Sequence, residues 1–111
     1  MIDTKKENLT GKVFEPKNLI AYQDGSIVSR MLIYKPSGTI TLFAFDEGEG
    51  LSEHTAPYDA IVMVIECEVD ISIAGTAFHL TTGQMIIMPA NIPHAVEAKQ
   101  RFKMMLTMIH A

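Results

Sequence analysis

Apolar residues recur along the chain in short runs, each closed by a turn signal. The signals fall at Glu15-Pro16-Lys17-Asn18, Asp24-Gly25, Pro36-Ser37-Gly38, Asp46 to Gly50, Ala56-Pro57, Ala74-Gly75, Thr82-Gly83 and Pro89 to Pro93. The runs between them are of strand length, and many are rich in Ile, Val, Leu, Phe and Thr. That rhythm predicts an all-β sandwich or barrel. No segment combines helical periodicity with capping residues.

A period of two is clearest at Val69, Ile71 and Ile73, with Glu68, Asp70 and Ser72 between them. This predicts a strand buried on one face. It enters Ala74-Gly75 and returns through Phe78 and Leu80, which puts His79 on the opposite, solvent side. Residues 39–45 set Ile40, Leu42 and Ala44 on one face and Thr41, Phe43 and Phe45 on the other. Ala60 to Ile65 and Met85 to Met88 are apolar on both faces, so both faces are expected to be covered. Phe102 to Ile109 sets Met104, Leu106 and Met108 against Met105, Thr107 and Ile109. Such strands suit a barrel interior on one side and a subunit interface on the other, so a homodimer is expected.

At 111 residues the chain is one domain's worth. It reads as a flexible polar arm over residues 1–11 and a single domain over residues 12–111. Folding at this size buries roughly two-thirds of the extended chain's surface. An apolar share of 48% therefore suffices for a core without disulfides. No apolar run nears the ~20 residues of a membrane helix. The first residues carry two lysines with no apolar block behind them, so neither a membrane partner nor a signal peptide is expected. A net charge of −4 without a basic cluster argues against nucleic acid. The single cysteine, Cys67, cannot form an internal bridge, which favours the cytoplasm. Glu66 and Glu68 beside it disfavour a thiolate, so it is no candidate nucleophile.

Chemistry then rests on the histidines, because the chain has no Gly-rich phosphate loop, Gly-x-Ser-x-Gly elbow or His-Glu-x-x-His pair. Gly83, Pro89, Asn91 and His94 follow one another as Gly-x5-Pro-x-Asn-x2-His. This resembles the second motif of the cupin family, Gly-x5-Pro-x-Gly-x2-His-x3-Asn. Asn91 stands where the second glycine belongs, and Asn enters the left-handed conformation more readily than most residues. A turn with positive φ at Asn91 is therefore expected. The motif's final Asn is Ala98 here. Of the first motif's two histidines and glutamate, only His54 is matched, with Ala56 and Ala60 at the other positions.

The resemblance spans roughly residues 13 to 109 and implies a cupin-type double-stranded β-helix, a jelly-roll barrel. It implies a small-molecule pocket centred on His54 and His94, with Met63 and Met85 as ligand-lining residues. Met88, Met104 and Met108 are further candidates for the lining. His54 and His94 are also the candidate metal ligands, for Ni, Zn, Mn or Fe. Two protein ligands leave most coordination positions to water, so such an ion is expected to be held weakly. An alternative is a metal-dependent enzyme of dioxygenase or isomerase type, which would be expected to keep the glutamate that is Ala60 here. A barrel filled by its own side chains, with no ligand, is a third reading. Asp59 reaches such a site only if its loop folds back, and His110 is expected to be loose.

Overall fold

Most strand boundaries fall at the turn signals in the computed structural model, which describes residues 2–3 and 8–110. The strands are β1 (Ile2–Asp3), β2 (Ile27–Lys35), β3 (Gly38–Phe45), β4 (Gly50–His54) and β5 (Asp59–Glu66). β6 (Glu68–Ile73), β7 (Thr76–Thr81), β8 (Met85–Met88), β9 (His94–Glu97) and β10 (Phe102–Ile109) complete the set, and Pro16–Asn18 forms one 3₁₀ turn. A six-stranded sheet in the order β1-β2-β3-β10-β5-β8 faces a four-stranded sheet in the order β4-β9-β6-β7. All pairings are antiparallel except β1 with β2. This is the all-β barrel that the strand rhythm predicts, with the jelly-roll arrangement that the family resemblance implies. Of the expected arm over residues 1–11, residue 1 and residues 4–7 lie outside the described residues, and Ile2–Asp3 is β1.

The two inner faces meet in one core. Val62 and Val64 of β5, Val69 and Ile71 of β6, and Val96 of β9 are all buried there, so the period of two reads correctly in β6. Phe45 and Phe102 are direct partners across β3 and β10, and their rings stack with centroids 4.7 Å apart. Full burial of an aromatic or large aliphatic side chain is worth about 1.5–3 kcal/mol. These residues dominate what holds the sheets together.

β3 is buried on both faces, because Ile20 and its neighbours Leu19 and Tyr22 fold over Val28, Leu42 and Ala44 on the outer side. β8 lies at the far edge of the same sheet, beyond that cover. Its outward residues Met85 and Ile87 remain 57% and 62% exposed. The expected cover on both faces of Met85–Met88 is thus absent within one chain.

Among the described residues three non-glycine residues hold positive φ: Cys67, Ala74 and Asn91. Cys67 (φ 63°) is the corner where the chain leaves β5 in one sheet for β6 in the other. Asn91 has φ 63°, the left-handed turn that its place in the motif implies. Asn91→Gly should keep the melting temperature, and Asn91→Val should cost on the order of 1–2 kcal/mol. Equal melting temperatures for the two variants would refute a conformational role for the asparagine.

His79 is on the outer face of the small sheet, where its Nδ1 meets Asp70 at 2.6 Å and its Nε2 lies 3.3 Å from Glu68. Lys99 completes the cluster, 3.0 Å from Asp70. The hydrogen bond to Asp70 raises His79 above its ordinary value of 6.5, with Glu68 adding to the effect. Hydrogen bonds from His79 and then Lys99 lower Asp70 below its ordinary 3.8. The histidine's contribution to stability is complete below its unfolded value and fades as pH rises through its higher folded value. The aspartate's is complete above its unfolded value and fades as pH falls through its lower folded value. The gap in melting temperature between wild type and His79→Gln should therefore be widest from about pH 4 to 6.5 and narrow as pH rises above about 6.5. A gap that does not vary with pH would show that the cluster's charge is irrelevant.

Candidate functional site

His54 ends β4 and His94 begins β9, and the two are direct partners across these strands. A bulge in β4 makes this possible. Leu51 pairs with Val96 and His54 with His94, so three steps along β4 match two along β9. Under strict alternation Glu53, not His54, would share the inward side with Leu51. The extra residue restores His54 to that side, which is how bulges re-aim side chains. Gly50 lets β4 lie this close, because a Cβ there would meet the Val96 carbonyl oxygen at 2.5 Å. Ser52 and Glu53 are left exposed.

The two imidazoles meet edge to face with centroids 4.4 Å apart. Nδ1 of His54 is 2.7 Å from the Ser52 carbonyl, and Nδ1 of His94 is 3.2 Å from the Ile92 carbonyl. A carbonyl only accepts, so each Nδ1 carries the proton and each Nε2 keeps its lone pair. His94 is buried, and His54 is exposed at the mouth. The backbone around them is tied down twice. The Asn91 amide donates to the Ala56 carbonyl at 2.7 Å, and the Ala90 amide donates to Asp59 Oδ1 at 2.9 Å. Asp59 is thus a clamp on the turn and not a ligand.

Behind the histidines is a cavity of about 60 Å³, walled by Ala56, Ala60, Met88, Met104, Leu106 and Met108 among others. The alanines at the two vacated motif positions both line it. Met63 and Met85, the other expected lining residues, do not. They alternate with the inward residues Val62, Val64 and Met88, so they point to the outer face of the six-stranded sheet. The strand parity could not be assigned from the sequence, because both faces of β5 and β8 are apolar. His79 belongs to the surface cluster on the other sheet, as expected. His110 packs on the Tyr58 ring, with centroids 4.0 Å apart, and its amide bonds the Ser37 carbonyl. It is not loose.

A larger hollow of about 360 Å³ lies on the outer face, between Leu9, Phe14, Leu32, Ile33, Ile40 and Met105. None of its described lining residues is titratable. Among the described residues no three His, Cys, Asp or Glu side chains converge on a common point. The donors therefore do not fit a tightly held hard divalent ion, which calls for carboxylates.

The Cupin_2 family model, described as a cupin domain, matches residues 41–110. A cupin 2 conserved barrel domain protein from Leptotrichia buccalis is 40% identical, with a TM-score of 0.81 over 84% of this chain and 45% of that one. A conserved protein of unknown function from Streptococcus pyogenes is 30% identical, with a TM-score of 0.88 over 95% of this chain and 93% of that one. A cupin superfamily protein from Desulfitobacterium hafniense is 25% identical, with a TM-score of 0.88 over 97% and 100% of the two chains. The comparison with curated proteins finds no match. With its barrel, its Gly83–Pro89–His94 motif and a family match over most of its length, the chain belongs to the cupin family.

Proposed function

We propose that this chain is a binding cupin whose site is the His54–His94 pair. The fold supports small-molecule or metal binding in general, and the mouth of a β-barrel is a common place for it. One observation carries the reading: two imidazoles in contact, with both Nε2 atoms left free, at an otherwise apolar cavity. The cavity of about 60 Å³ is far smaller than the roughly 300–1,000 Å³ of pockets for drug-sized ligands. The ligand is accordingly an ion or a molecule of a few heavy atoms. An ion would gain two nitrogen donors and leave its other positions to water or to that small molecule. The dioxygenase or isomerase reading is less well supported, since Ala60 offers no carboxylate to hold a reactive metal.

Calorimetric titration with Ni, Zn and Mn tests the site. Binding should be weak enough for chelator dialysis to strip the ion, and it should weaken on acidification as protons compete for Nε2. His54→Ala and His94→Ala should each abolish it while the circular dichroism spectrum is retained. Unchanged binding in either variant removes that histidine from the site.

We propose further that the chain is a homodimer joined through the outer face of the six-stranded sheet. Ile33, Ile40, Thr107, Ile61 and Ile87 are successive partners across β2, β3, β10, β5 and β8. Leu42, Met105, Met63 and Met85 form a second such row. These rows give the two misassigned methionines a role in association. Cys67, free and exposed, suits a reducing compartment such as the cytoplasm. Sedimentation should show a dimer burying more than about 1,200 Å² in total. Met63→Glu combined with Ile87→Glu should give monomers, and a monomeric wild type at micromolar concentration would end the proposal.

A further inference from the structure

We propose that the His54–His94 cavity is a site for a soft monovalent cation, Cu(I). This rests on the reading of the two histidines as a binding pair. It departs from the divalent ions that the family resemblance suggests.

The argument begins with the donors on the cavity wall. Beyond the two Nε2 atoms they are the thioethers of Met88, Met104 and Met108. No carboxylate of the described residues lines the cavity, and the residues at the vacated motif positions are alanines. Imidazole and thioether are the donors that suit Cu(I), and carboxylate oxygen suits Mg, Ca and Mn. Charge points the same way. The cost of moving an ion from water into a low-dielectric space grows with the square of its charge. In a cavity with no anionic side chain, a monovalent ion incurs about a quarter of the cost of a divalent one of equal size. Space agrees as well. About 60 Å³ holds an ion with roughly one water, whose share of liquid volume is about 30 Å³.

The placement of the methionines adds a second line of argument. Met88 and Met104 are 4% and 1% exposed, and Met88 is the direct cross-strand partner of Ala60. Met104 and Met108 follow at alternate positions of β10, so both point to the same side. Three thioethers therefore reach one cavity from two strands of the large sheet, facing two histidines on adjacent strands of the small one. The sheets supply different donor types from opposite walls.

Anaerobic titration of the full chain with Cu(I), in competition with the chromophoric chelator bicinchoninate, tests the proposal. One equivalent should be withdrawn from the chelator. The Cu X-ray absorption spectrum should show both nitrogen and sulfur neighbours. Met104→Leu and Met108→Leu nearly conserve volume, and Met108 is only partly buried, so at least one should fold. Each folded variant should lose about tenfold or more in Cu(I) affinity, with Zn(II) affinity changed less than about twofold. His54→Ala should abolish binding of both ions. Zn(II) binding that depends on the histidines, with no capture of Cu(I), overturns the soft-ion proposal and leaves the histidine site standing. Cu(I) bound without sulfur neighbours, or unaffected by either methionine change, overturns it too. Binding of neither ion overturns both readings.

Discussion

The stack of Phe45 on Phe102 is the contact from which the rest of the barrel takes its shape. It fills the space between the sheets at one end of β10 with two aromatic rings. Along the same strand the inward residues become Met104, Leu106 and Met108, and β5 near its start pairs Ala60 with Met108. The inner volume of the barrel is thus crowded with rings at one end and lined by flexible or small side chains at the other. A cavity opens only at the second end, where the two histidines stand. The barrel is rigid where it needs to hold its sheets together and hollow where a ligand would enter.

Two local irregularities turn that hollow into a site. The bulge in β4 moves His54 to the inward face, and the left-handed residue Asn91 brings the turn before β9 back to the loop at Ala56. Asp59, which in the sequence stands next to a vacated ligand position, instead accepts a hydrogen bond from that turn. Each device leaves a backbone carbonyl beside a histidine Nδ1, so the tautomer follows from the backbone path. Alanine at the positions of the motif's other histidine and its glutamate leaves the cavity without a carboxylate from those positions while the scaffold is kept. The site is therefore a changed donor set in an intact frame.

The outer face of the large sheet repeats the theme in a different place. Its apolar rows are covered by residues 19–22 over β3, half-buried over β5 and left open at Met85 and Ile87 of β8.

The sequence by itself determined the strands, the turns between them and the family, because periodicity and turn chemistry are local properties that each segment carries alone. The positive φ at Asn91 and the surface position of His79 were legible for the same reason. It also pointed to His54 and His94, through motif spacing. Only the tertiary structure decided which face of β5 and β8 looks inward, since a strand apolar on both sides has no parity signal. That is why Met88, Met104 and Met108 line the cavity and Met63 and Met85 do not. The corner at Cys67, the bulge in β4, the clamp at Asp59 and the packing of His110 on Tyr58 were hidden as well. Each is set by a partner distant in the chain, and no local pattern encodes a partner that only folding brings near.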